Sequence, residues 1–258
     1  MDYCTELYMF WRDAINRTFL IDNRYRIFLD GIKNTMVITL GALLVGVVIG
    51  VAVAISKVYY YQVGPYTIVD SLKLFFKKWR VEFLGRILLR LWDGFLNIYL
   101  TVFRGTPVVV QLMIWAFVVF ATTDGIIVAV IGFGVNSGAY VAEIVRAGIM
   151  AVDKGQTEAG RSLGLSAATT MRLIVLPQAF KNVLPALSNE LIALLKETSI
   201  VGYIAVVDIT KAAALVRART FDAFIPLMFV SAFYLFMVTI LTFFQKKLEK
   251  ALQASDRK

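Results

Sequence analysis

Several apolar runs in this chain are each long enough to cross a lipid bilayer, which takes ~20 residues of helix. Hydrocarbon offers no partner to backbone N–H and C=O groups, so such runs must be helices that satisfy those groups internally. The runs fall at about 31–56, 99–123, 125–148, from about 185 onward, and 221–244. Only 17% of the residues are charged, against ~25% in an ordinary soluble domain. The chain therefore reads as an all-α integral membrane protein with about five transmembrane helices.

Several chemistries are excluded at the outset. There is no histidine, which removes the usual zinc sites, Ser-His and Cys-His catalysis and a histidine proton relay. The one cysteine, Cys4, leaves no internal disulfide. No G-x-x-x-x-G-K-[ST] occurs, so the chain carries no phosphate-cradling loop of its own. The acidic, aromatic N-terminus is unlike a cleavable signal peptide. A net charge of +9 is better read as loop charge that marks topology than as a nucleic-acid footprint.

Residues 1–30 mix four basic and five acidic side chains and read as an external or interfacial segment. In the first span Ala42, Gly46, Gly50 and Ala54 recur every four residues, one small face for close helix approach. Packing within the chain is the reading preferred over a subunit interface. Residues 57–95 combine Lys57, Lys73, Lys77, Lys78, Arg80, Arg86 and Arg90 with an interleaved apolar set, the pattern of a basic amphipathic helix on a membrane surface. The second span is entered through Arg104-Gly105-Thr106-Pro107, with the proline suited to a helix's first turn.

On the third span Asn136, Tyr140, Glu143 and Ala147 share a face. Polar residues at depth face protein or a water-filled path. Glu143 with Arg146 reads first as a structural ion pair, and Asn136 and Tyr140 as candidates for a pathway lining. In the fourth span Lys196-Glu197-Thr198-Ser199 arrives ~16 Å along the helix, near mid-bilayer. A break is expected there, beside a transport path, with a short helix resuming through Ile209 and a basic outer loop over 210–220. The competing reading is a packing bridge. The tail, 246–258, is charged and amphipathic.

With the N-terminus outside, the inner segments 57–104, 146–181 and 246–258 hold 18 of the 27 Lys and Arg, and the outer segments hold seven. That bias places the C-terminus and the loop over 153–182 in the cytoplasm.

That loop is the most distinctive stretch. It opens with a polar, small-residue helix, and Leu176-Pro177 is expected to end it. Glu158, Ala159 and Gly160, then Gly164, Leu165, Ile174, Leu176 and Pro177, fit the pattern E-A-A/G-x3-G-x9-I-x-L-P. This resembles the signature of permease subunits of bacterial ABC importers. RGTPVVVQL at 104–112, NSGAYVAEIVRAGI at 136–149 and the string through LLKETSI are similar to the polar amino-acid branch of that family. The resemblance covers 31–56 and 99–244 and leaves 57–95 as an insertion. Glycine at 160, where alanine is commonest, is a departure.

The resemblance implies the type I ABC importer permease arrangement, with 31–245 as the permease domain. It implies a bacterial plasma membrane, a cytoplasmic ABC ATPase dimer, a second permease subunit and an external solute-binding protein. No cofactor is expected in this subunit; ATP and Mg would be bound by the ATPase. The loop 157–177 would couple to the ATPase, with Glu158, Arg161 and Arg172 supplying charges for the dock, Ala159, Gly160 and Gly164 keeping the helix thin enough for a cleft, and Leu165 and Met171 plugging apolar pockets. Asn136, Tyr140, Lys196, Glu197 and Thr198 would line or gate the path. The alternatives are an importer for another small polar solute and an ion-coupled secondary carrier. The carrier leaves the coupling pattern without a purpose, and the inverted repeats common in such folds are not apparent.

Overall fold

The computed structural model describes residues 3–63 and 80–256, and among them there is no strand. The helices are α1 (Tyr3–Ile15), α2 (Tyr25–Val63), α3 (Arg80–Gly105), α4 (Val108–Ile114), α5 (Gly125–Met150), α6 (Lys154–Ser162), α7 (Ala167–Thr170), α8 (Leu176–Glu197), α9 (Ile209–Thr220) and α10 (Phe224–Asp256). Single π-turns follow α1, α4 and α7, and a 3₁₀ stretch (Thr198–Ile204) follows α8. Three helices are long and apolar enough to span a membrane: Tyr25–Tyr60, Gly125–Met150 and Phe224–Leu252. Two bent helix pairs raise the number to as many as five.

The chain divides into two compact units. One comprises residues 1–43, 109–133 and 188–258. Its core is Phe28, Ile209, Ala212, Ala213, Val216 and Val230. The positions 209, 212, 213 and 216 form one stripe of α9, the i, i+3, i+4, i+7 pattern of a helix with a buried side. Phe19, Phe28 and Phe229 close this core with ring centroids 5.0–5.3 Å apart, the range of tilted and edge-on aromatic pairs. Gly31 lets α2 come close to the α9 entrance. A Cβ there would sit 2.8 Å from the Asp208 carbonyl oxygen and 2.9 Å from Ile209 Cα, both backbone atoms.

The other unit comprises residues 44–108 and 134–187. Here α2 meets α5 through the small-residue stripe. A Cβ at Gly50 would lie 2.6 Å from Val141 Cβ, and one at Gly46 2.9 Å from Ser137 Oγ. The stripe packs within the chain, the preferred expectation. Between helices in lipid, hydrophobicity supplies little net drive, and close van der Waals contact of this kind takes its place. Val53, Leu96 and Ala142 pack where α2, α3 and α5 meet.

Several expectations change. The first span begins at Tyr25, because α2 includes the residues before 31. The second span is not continuous over 99–123: the helix breaks sharply at Thr106-Pro107, between α3 and α4. Leu176-Pro177 does not end a helix. The backbone runs from α7 through a π-turn (Met171–Val175) into α8, and the π-turn takes up the irregularity just before Pro177. The helix over 153–182 ends instead at Gly164. Residues 210–220 are a helix rather than a loop, and Ile209 starts it. The tail continues α10 without a break.

Of the segment 57–95, residues 64–79 lie outside the described residues. Its ends are not free-standing. Lys57 is buried, and its Nζ donates to Asp93 Oδ1 at 2.9 Å and to Asn97 Oδ1 at 2.5 Å. Asp93 Oδ2 accepts from Asn97 Nδ2 at 2.9 Å. A lysine that reads as loop charge thus ties α2 to α3, which runs unbroken from Arg80 past residue 95. Removing one partner of a buried pair leaves the other charge uncompensated. Lys57→Met should therefore cost about 3–5 kcal/mol. Lys57→Met with Asp93→Leu should recover most of that loss, read as the thermal midpoint of the purified chain in mild detergent.

Candidate functional site

The loop with the E-A-G pattern is a short helix locked onto its own continuation. Asp153 caps α6, its Oδ1 accepting from Gly155 N at 2.6 Å, which satisfies a donor orphaned at the helix start. At the other end Gly164 takes φ +82°, the left-handed region. Leu165 N donates to Gly160 O at 3.2 Å and Gly164 N to Arg161 O at 3.0 Å. That pair of bonds is the Schellman termination. Ser166 then caps α7, its Oγ accepting from Thr169 N at 3.1 Å.

Gly160 is buried, not presented outward. A Cβ there would stand 2.7 Å from Thr170 Cγ2 and 2.9 Å from Ile174 Cδ1. The glycine lets α6 close onto α7 and the π-turn, and Ile174 is the residue it closes on. This corrects the expectation that Gly160 thins the helix for an outside cleft. Gln178 Nε2 reaches Gln156 Oε1 at 3.4 Å and Ile174 O at 3.0 Å, and Val152, Val175 and Ala179 form a core at the base of the loop. Met171 packs against that core, and Leu165 is half-buried.

Among the residues left exposed are Glu158, Ala159, Arg161, Leu163 and Gly164, with Leu173 in the π-turn and Leu176 and Pro177 at the start of α8. Leu163 is 81% exposed. Sequence reasoning named Leu165 and Met171 as the apolar contacts and did not single out this exposed leucine. The available signal was its place at the end of the helix, directly before the glycine that turns the chain.

In the same unit lie Asn136 and Tyr140. Pro107 has no N–H to give the carbonyl of Phe103 four residues earlier. Asn136, 4% exposed, supplies one: its Nδ2 donates to Phe103 O at 2.9 Å. Tyr99 Oη donates to Val135 O at 2.7 Å. The Arg104 guanidinium stands 5.6 Å from the centroid of the Tyr140 ring, within cation–π range. Glu143 and Arg146 form the expected ion pair, with Arg146 Nε 3.2 Å from Glu143 Oε2.

Lys196, Glu197 and Thr198 belong to the other unit. The regular helix does give way there, to the 3₁₀ stretch. Lys196 is exposed and Glu197 half-buried. Thr198 is fully buried, its Oγ1 donating to Leu195 O at 2.7 Å. Ala205 turns the chain in the left-handed region (φ 63°), and a 48° bend leads into α9.

Comparison with known proteins fits this arrangement. The family described as binding-protein-dependent transport system inner membrane component matches residues 83–254, so the family region begins inside the segment read as an insertion. The arginine transport system permease protein ArtQ of Bacillus subtilis is 35% identical over 232 residues, spanning 88% of this chain and 93% of ArtQ. The glutamine transport system permease protein GlnP of Escherichia coli is 37% identical over 164 residues, spanning 60% of this chain and 74% of GlnP. Among solved structures, an amino acid ABC transporter with histidines is 33% identical with a TM-score of 0.71, over 90% of this chain and 98% of that one. The MetNI methionine ABC transporter, inward facing, shares the fold at 20% identity and a TM-score of 0.67, over 88% of this chain and 97% of that one. The chain belongs to the family of binding-protein-dependent transport system inner membrane components, and it is a permease subunit of an ABC importer.

Proposed function

We propose that this permease imports polar amino acids and takes its driving motion through the loop 157–177. The observation that carries the coupling reading is the division of labour in the loop. Gly160, Thr170 and Ile174 hold α6 from inside, while Glu158, Ala159 and Leu163 stand outward on a helix fixed at both ends. An exposed leucine on a helix that also carries Glu158 and Arg161 suits a protein surface better than a lipid-facing one. A cytoplasmic ABC ATPase dimer would receive it and would hold the ATP and Mg. A second permease subunit would complete the path, and an external solute-binding protein would deliver the substrate. The substrate class rests on the arginine and glutamine relatives.

Path residues are assigned by position. Tyr140, Lys196 and Glu197 keep exposed or half-exposed side chains and are the candidates for contact with solute. Asn136 and Thr198 act on the backbone, at Phe103 and Leu195, and hold the breaks beside the path in shape.

A Cβ at Gly164 would meet no atom within 4 Å, so the cost of Gly164→Leu is backbone strain, about 1–2 kcal/mol for a left-handed residue with a side chain. It should nevertheless abolish uptake of radiolabelled amino acid while membrane abundance is retained. Glu158→Lys should do the same. Uptake that survives both changes defeats the coupling reading.

Affinity purification of the chain in mild detergent should bring an ATPase with it. Leu163→Glu places a charge where an apolar anchor docks. If Leu163 is a central contact, worth about 2 kcal/mol or more, the ATPase should be lost from the complex.

The orientation has its own reporter in Cys4, the chain's one cysteine. A membrane-impermeant maleimide should label it in intact spheroplasts. Labelling only after permeabilisation would reverse the topology.

A further inference from the structure

Two adjoining cavities open beside the base of the coupling loop, of about 490 Å³ and about 380 Å³. They share Val58 of α2, Ile149 of α5 and Met171 of the π-turn, so the two adjoin along these apolar side chains, a groove in two parts. Three cations stand along it: Arg146 and Lys154 in the first cavity and Arg172 in the second. No acidic residue lines either cavity among the described residues. Arg146 is partly offset by Glu143. Lys154 and Arg172 are exposed, and among the described residues neither enters an ion pair.

We propose that this groove is a binding site for an anionic phospholipid of the inner leaflet, seated against the base of the coupling loop. The charge pattern selects the occupant. A hydrated inorganic anion gains nothing from walls of Val, Ile and Met. A zwitterionic lipid also carries a phosphate, but its own ammonium group offsets the attraction of the cations. An anionic phospholipid uses both walls and cations, its charged headgroup drawn by Arg146, Lys154 and Arg172 and its upper acyl chain lying on Val58, Ile149 and Met171. Basic pockets between helices on the cytoplasmic side attract such headgroups, and the volume falls in the ~300–1,000 Å³ range of ligand sites. The lipid would touch α2, α5 and the loop at once, bracing the base of α6. The inference rests on the cytoplasmic placement of the loop proposed above.

The test uses the full chain, with the subunits that purify with it, in nanodiscs of phosphatidylcholine with or without phosphatidylglycerol. Native mass spectrometry should show phosphatidylglycerol retained over phosphatidylcholine. Retention should weaken about five-fold for Lys154→Gln and for Arg172→Gln, the effect of one cation near an anionic headgroup. A photo-crosslinking residue at Val58 should capture lipid. Equal retention of the two lipids, retention unchanged in both variants, crosslinks to protein alone, or displacement by millimolar inorganic phosphate would each overturn the proposal. Uptake that persists alongside such a failure leaves the coupling reading standing, and labelling of Cys4 reports separately on the loop's side of the membrane.

Discussion

A carbonyl without a donor is costly in hydrocarbon, and that constraint accounts for several of the polar side chains buried in this permease. An interruption of a helix frees backbone groups, and at two of the breaks a partner is placed against them. Pro107 withholds an N–H from Phe103, and Asn136 provides one. Past the 3₁₀ stretch, the carbonyl of Val207 accepts from Asn34 Nδ2 at 2.8 Å. At the start of α9, the Asp208 carboxylate takes the N–H groups of Thr210 and Lys211 at 2.9 Å, and Ile209 N reaches Thr35 Oγ1 at 3.3 Å. The breaks are therefore built features, held by residues that would be expensive at depth with nothing to bond.

The same constraint explains what sequence reasoning could and could not see. The apolar runs and the E-A-G pattern were legible because each depends on local spacing. So was the stripe Ala42, Gly46, Gly50 and Ala54. The break at Thr106-Pro107 was only half legible: Arg104-Gly105-Thr106-Pro107 reads as a helix entrance, but the span still reads through it from 99, because the asparagine that serves the freed carbonyl lies 33 residues away. Leu176-Pro177 misleads in the opposite direction. Proline reads as a stop, while the π-turn before it lets the helix pass. Residues 210–220 read as a loop by their charge, although 209, 212, 213 and 216 already carry a helical stripe. Lys57 looks like a loop cation because its partners, Asp93 and Asn97, lie more than 35 residues away.

Within the candidate site, the roles of the pattern residues separate by direction. Gly160 and Ile174 face each other, so their spacing in the sequence encodes an internal contact. Glu158, Ala159 and Leu163 face away. A sequence pattern alone does not distinguish the two sets, since spacing does not say which way a side chain faces.

Rigidity is what a coupler needs. A push on a flexible loop is dissipated in rotations of its backbone, whereas here few are available. α6 is capped by Asp153, terminated by the Gly164 turn and clamped by Thr170 and Ile174. Beyond that turn the chain takes a single helical path from Ala167 to Ile204, with Val175 and Ala179 buried at its base against Val152. A displacement of the exposed face of α6 must then move the start of that path as a body. The fixed point is the Gly160 contact: it joins the exposed face of α6 to the start of that path, and a larger side chain there would separate them.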